Sequence, residues 1–458
     1  MPRPRTILVL TRHTPLPWED GAGAYLFDIL RHLRTKGFTV HIGWLAPHEH
    51  LRWQGLWTLP ADFAAAATLH TPGGWRFGRR QFYPSIYWLP FKARALHAIK
   101  QALGLVGVRV SRRPRSPSPV HRSQPTAHRH PAGAYRHHPT AARPSPTAHR
   151  PLPPSLTASG ISLPSTGWMS APSAAEHAFA AGLIERLRPS AVIVNYAWIT
   201  PLFDSGAGPD SDFLRVCLHP DVAWKRAALQ CGLDGLPPLI DRATEAALLV
   251  KAEVVVGITE ADAAELRLLA PAASHLVAPK AVSARPLPAA DSRRLLFVGS
   301  GNSFNIAGLS WFLAEVWPLV RAAQPDAVLD VCGTVAAAIK NRPAGAHFHG
   351  PVPNLDTYYS TAAVVVVPLL HATGLNIKLV DAAAHCRAIV TTAATLEGAP
   401  FLTGAVAAAD SPAAFAGAII GLLADPAARA ALAERSLAAV RERLAPEACY
   451  ASLAAALA

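Results

Sequence analysis

The chain of 458 residues has only five cysteines, Cys217, Cys231, Cys332, Cys386 and Cys449, far apart and with no C-x-x-C spacing. That pattern argues against a zinc ribbon or disulfide framework and fits reduced thiols in a cytoplasmic protein. Long apolar runs are missing too. The longest candidate, AALLVKAEVVVGI, is broken by Lys251 and Glu253, so no membrane span is expected. The first apolar stretch, Ile7 to Leu10, is too short for the core of a signal peptide. No G-x-G-x-x-G follows that stretch and no G-x-x-x-x-G-K-[ST] occurs, which argues against nicotinamide oxidoreductases and P-loop NTPases. No His/Cys/Asp cluster has metal-ligand spacing, so neither a metal nor a cofactor is expected.

What is present is apolar and well suited to burial. Hydrophobic residues make up 51% and charged residues 16%, and the length implies two or more domains. The net charge of +13 is mostly local, because residues 111–150 hold eight arginines and no acid. Residues 111–175 also contain 13 of the 42 prolines, with near-repeats PTAHR, PTAAR and PTAHR. Such a stretch has too little apolar surface to offset chain entropy, and disorder is expected. Two other readings of it remain open: a basic tract touching acidic lipid or nucleic acid, and compensating frameshifts that replaced an ordinary α/β segment.

Outside that tract the pattern alternates. TILVLT (6–11) reads as a strand, PWEDGAGA as a glycine-bearing loop, residues from about Tyr25 to Lys36 as a helix, and FTVHIGWL (38–45) as a second strand. Further strands are expected at 191–197, 213–219 and 253–259. A Pro/Ala-rich stretch, 270–294, reads as an interdomain linker. Beyond it strands are expected at 294–300, 327–333, 346–352, 362–368 and 388–392, with helices between them. Continuous apolar strands alternating with helices imply parallel sheets covered on both faces. The expectation is an α/β protein of two Rossmann-like domains facing a cleft, 1–285 and 286–458, with the last helix available to return to the first domain.

Two glycine turns at strand ends carry the chemistry. FVGSGNSFNIAG (297–308) leaves a strand for a helix, and backbone N–H groups from Gly299 to Asn302 could cradle a phosphate. ATGLNIKLVDAAAH (372–385) does the same at the carboxyl end of the strand expected at 362–368. There Thr373, Gly374, Leu375 and Asn376 lead into a helix whose positive end points at the cleft. Lys378 in its first turn suggests an anionic partner, and Asp381, one turn on, could accept from a sugar or ribose hydroxyl. A plain surface Lys–Asp pair is the competing reading.

The C-terminal half, through FVGSGNSFNIAGLSWFL, HFHGPVPNLDTYYSTAAVVVVPL and ATGLNIKLVDAAAH with AIVTTAATLEG, resembles retaining glycosyltransferases of the family 4 (group 1) type, which have the GT-B architecture. The resemblance spans roughly residues 5–50 and 176–440. It implies transfer of a hexose from a nucleotide diphosphate sugar to a glycan or lipid-linked acceptor, without metal. In the family's Glu-x7-Glu element the second acid falls on Asp381, as a ribose ligand, and the first on Thr373, where the carboxylate is absent. Cys386 stands where the family has a glycine, and Ala388 where it has proline. Lys378 would meet the diphosphate. CLHPDVAWKR (217–226) resembles the family's His-Asp segment, so His219 would reach the donor sugar with Asp221 nearby. Gly21 and Gly23 would face the diphosphate or the acceptor, and Glu260 would open a helix near the cleft. A catalytically impaired GT-B protein, and a nucleic-acid or membrane-surface binder acting through 111–150, are the alternatives. The resemblance implies a cytoplasmic location, with contact at the inner membrane face left open.

Overall fold

The structure, a computed structural model, describes residues 5–13, 21–45, 56–59, 61–72, 75–77, 79–82, 169–206, 212–235 and 237–458. The proline-rich tract and the first four residues of the PWEDGAGA loop, 17–20, lie outside them, except for the tract's last residues, 169–175.

Two parallel sheets organise the described residues. The N-terminal sheet uses β1 (Thr6–Thr11), β2 (Thr39–Trp44), β4 (Thr68–His70), β7 (Ala191–Asn195), β8 (Leu214–Leu218), β9 (Val254–Gly257) and β10 (Ser274–Val277), in the order β10-β9-β8-β7-β1-β2-β4. A small antiparallel sheet, β3 (Leu56–Thr58), β6 (Arg80–Phe82) and β5 (Trp75–Phe77), stands apart. The C-terminal sheet uses β11 (Arg294–Val298), β12 (Val328–Cys332), β13 (Ala346–Gly350), β14 (Val364–Val367), β15 (Ala388–Thr391) and β16 (Ala407–Ala408), in the order β13-β12-β11-β14-β15-β16. Both sheets reverse direction of winding beside their first strand, at β1/β7 and at β11/β14. Loops diverge at such switch points and leave a crevice at the carboxyl ends of the strands.

The strands form where the sequence is apolar on both faces. All residues of β7, β9, β14 and β15 are buried, as a parallel sheet layered between helices requires. Two expectations are corrected. The stretch 270–294 is not wholly linker, because Ser274–Val277 pairs in register with Val254–Gly257 as the seventh strand. The first helix begins at Gly21 rather than Tyr25, so Gly21 and Gly23 lie in its first turn instead of a loop.

The end of the low-complexity tract is fastened. Ser173 and Glu176 form a capping box for the helix Ala174–Leu187. Buried Arg12, at the end of β1, donates to Glu176 at 2.7 Å and to the carbonyl of Ser170 at 2.6 Å. At the other end of the chain, the helix Pro446–Leu457 packs on the helix Gly21–Thr35 of the N-terminal layer. Tyr450 accepts from the Ala281 amide at 2.8 Å, and Lys36 pairs with Glu447.

Candidate functional site

The carboxyl ends of β11 and β14 bring the two glycine turns together. The first turn is shaped by contact with its neighbour. Gly333, at φ +100°, follows β12, and any Cβ there would collide with the Gly299 carbonyl, so only glycine fits. Asn302, whose backbone N–H was expected to help cradle a phosphate, also caps the next helix, its Oδ1 accepting from the Asn305 amide at 2.9 Å, whereas the Gly299 N–H is spent on the Cys332 carbonyl at 3.0 Å and the Gly301 N–H on Thr334 Oγ1 at 2.8 Å. Asn305 is almost fully buried. It donates to the Ser300 carbonyl at 2.8 Å and accepts from Lys378 Nζ at 2.7 Å, so it ties one turn to the other across the switch point.

Lys378 is the second residue of the helix Ile377–Ala384. Its ammonium also lies 6.0 Å over the Phe297 ring and forms no ion pair among the described residues. Burial therefore pushes it down to about 8 from the usual lysine range. Asn376, at the helix N-cap position, makes no capping bond, and its buried Oδ1 has no partner among the described residues. Leu375 is buried beneath the turn. The first-turn N–H groups, an undercompensated cation and an idle amide thus share one spot. That combination suits an anion.

Asp381 is half-buried further along the same helix. Burial raises its carboxyl, and Lys280, His385 and Arg285 oppose that rise. No hydrogen bond reaches the carboxylate among the described residues, whereas its backbone carbonyl accepts from His385 Nδ1 at 2.6 Å. His385 stacks on Tyr359 with ring centroids 4.1 Å apart and also meets Asp356, which anchors the end of the helix. Cys386 adopts φ +56°, the left-handed conformation that glycine adopts without strain.

The turn itself faces the N-terminal sheet. Gly374, at φ +61°, lies against Pro220 and Asp221, which follow β8, and Ile258, which follows β9. Thr373 Oγ1 donates to Asp221 Oδ1 at 3.2 Å. The other Asp221 oxygen accepts from Arg226 at 2.5 Å. Ser303 bonds Asp234 at 2.8 Å as a second link between the halves.

His219 does not open onto this gap. Its ring is fully enclosed, with Nδ1 accepting from the Ala197 amide at 3.2 Å and Nε2 donating to Glu245 at 2.6 Å. Glu245 is also fully buried, and it accepts from the Ala223 and Trp224 amides at 2.9 and 2.7 Å. These are the first N–H groups of the helix Ala223–Asp234, whose N-cap residue, Val222, has no side-chain acceptor. Asp262, on the helix that Glu260 opens, is pushed up to about 6 by burial and by neighbouring Asp221, while its bond from Thr259 opposes the rise. Among the described residues no group of three His, Cys, Asp or Glu side chains could hold a metal.

Glu245, Asp262 and the coupling role of Asn305 escaped the sequence reading. A signal for Glu245 existed. Glu245, Leu248 and Leu249 fall at i, i+3 and i+4, so the acid shares the helix's inward face.

Two winding-reversed parallel sheets whose strand ends meet through these turns define the GT-B fold. Within it, residues 292–425 match the family described as "Glycosyl transferases group 1". Solved structures of similar fold include the sucrose-phosphate synthase of Thermosynechococcus elongatus (14% identity, TM-score 0.58, covering 99% of this chain and 97% of that one). HepE of Anabaena in complex with UDP is another (10%, TM-score 0.54, 99% of each chain). WaaG, a glycosyltransferase involved in lipopolysaccharide biosynthesis, is a third (12%, TM-score 0.53, 99% of each chain). Curated proteins searched by sequence gave no match.

Proposed function

We propose that the chain transfers a hexose from a nucleotide diphosphate sugar to a glycan or lipid-linked acceptor, with retention of configuration. The observation that carries this reading is Lys378: an ammonium with no carboxylate partner among the described residues, at a helix N-terminus, at the switch point of a group 1 domain. In this reading Lys378 and the helix N–H groups take the diphosphate and stabilise the charge that grows on it as the sugar–phosphate bond breaks. No metal is needed for that neutralisation. Asp381, with a carboxylate free to accept, takes the ribose hydroxyls. Gly374 lets the backbone approach the sugar. His219 acts at one remove, as part of the buried frame that holds the 219–224 segment at the rim.

Calorimetry with UDP, GDP and ADP, followed by transfer assays with the sugar nucleotides of whichever base binds, tests the reading. Micromolar binding of one nucleotide and a product of retained anomeric configuration support it. Absence of binding to all three overturns it. Tight binding with no turnover would favour the impaired, binding-only form suggested by the missing carboxylate at Thr373.

A further inference from the structure

We infer that Asp221 reads a hydroxyl of the transferred sugar, and that the Thr373 hydroxyl now occupies the place of that sugar hydroxyl. The inference rests on the proposed function and adds a residue from the opposite half of the molecule to the donor site.

Three observations converge on it. First, Asp221 is aimed across the gap and not at solvent. Its side chain is 16% exposed, one oxygen is held by Arg226, and the other faces Thr373 and Gly374. A Cβ added at Gly374 would stand 3.3 Å from that oxygen, a tight contact, so the glycine is what lets the turn lie this close to the acceptor. Second, the carboxylate stands on a prepared mount. His219 before it and the Ala223 and Trp224 amides after it all bond to the single buried carboxylate of Glu245. With Pro220 beside it, the acid has little freedom to relax away from a ligand. Third, the acid has a cation beside it and a carboxyl close by that burial disfavours in its charged form. Arg226 sits on Asp221, whereas the carboxyl of Asp262 close by is pushed up to about 6.

A carboxylate accepts and cannot donate, so a sugar hydroxyl is the matching ligand, and the present bond from a neutral threonine at 3.2 Å is long enough to yield to one. The same geometry explains Thr373. A carboxylate at that position would put two like charges within contact distance, each disfavouring the other's ionised form. A hydroxyl there is compatible with Asp221 across the gap.

The test compares binding of a sugar nucleotide with binding of its own nucleotide diphosphate, using the base that binds the wild type, in D221N, T373E, T373V and the swap D221N/T373E. The nucleotide diphosphate affinity reports the fold and the phosphate end, and the gain from adding the sugar reports Asp221. D221N and T373E are expected to lose about 10- to 100-fold of the gain, and also of kcat/KM where turnover is measured, with nucleotide affinity changed less than about threefold. The swap, which moves the acid across the gap, is expected to recover most of it. T373V is expected to keep the gain, which separates reading a sugar from merely latching to Thr373. An undiminished gain in D221N, a T373V variant as impaired as D221N, or an effect confined to the acceptor KM overturns the assignment. A wild type that binds no nucleotide overturns the proposed function, and the assignment with it.

Discussion

The two sheets share one winding order yet finish their strands in opposite styles. At the carboxyl ends of β11 and β14 the chain leaves polarity uncompensated: an ammonium bonded to one amide, an idle Asn376 oxygen, and an Asp381 carboxylate with no donor among the described residues. At the end of β8 it does the reverse. His219, Glu245 and the N-terminus of the helix Ala223–Asp234 satisfy one another and exclude solvent. One edge is built to receive charge from outside, the other to hold its shape. Unmet polar groups cost stability and are worth keeping where a ligand completes them. Satisfied buried networks fix geometry.

Removing Glu245 is expected to have the largest effect on this contrast. E245A strands a buried imidazole and two amides, and should cost about 3–5 kcal/mol of unfolding free energy in urea. Nucleotide affinity measured where the protein is still folded should change little, because the network lies in the other half. K378M should do the opposite. Loss of a charge-assisted contact to the diphosphate predicts roughly 10- to 100-fold weaker nucleotide binding by calorimetry, with a stability change under about 1 kcal/mol. If K378M unfolds the protein and E245A abolishes nucleotide binding without destabilising it, the contrast is reversed.

A pH series sharpens the same point. Lys378 titrates near 8 in the folded chain, below its usual range, because burial disfavours its charge. A ligand that needs the ammonium should bind about tenfold more weakly at pH 9 than at pH 7, and K378M should flatten that slope. For stability the sign is opposite. The depressed group has given up its proton above 8, while the unfolded chain holds one up to about 10.5, so its contribution to stability rises across that window. The smallest expected effect lies at the edge of the tract. S173A removes half of the capping box and should cost about 1 kcal/mol in thermal or urea unfolding, with nucleotide binding unchanged.

Much of this was legible from residue order, and the reasons are local. VVVV before Pro368, or ILVLT at the start, can bury both faces only inside a parallel sheet, so these strands could be placed. A cation in the first turn of Ile377–Ala384 stands against the helix dipole and marks its own spot. β10 was not legible. Ser274–Val277 sits in Pro/Ala-rich sequence and is a strand because Val254–Gly257 offers it an edge. The small sheet of β3, β5 and β6 has three-residue strands with the same dependence on partners. The bond from the Asn305 amide to the Asn302 side chain, which starts a helix, was not read from the sequence either.

The periodicity of apolar residues thus set the two-sheet α/β plan, and the spacing of Gly374, Lys378 and Asp381 along one turn and helix marked the candidate anion site. Both are short-range properties, carried by neighbours within a few positions. The packed molecule decided which polar groups are free and which are spent. Thr373 meets Asp221 from 152 positions away, Lys378 meets Asn305 from 73, and His219, just past β8, is shut in by a glutamate on the helix Arg242–Leu249. No local pattern encodes those meetings. They follow from two sheets folding so that their strand ends face each other, and desolvation at that seam pushes Lys378 down and Asp381 up from their usual ranges.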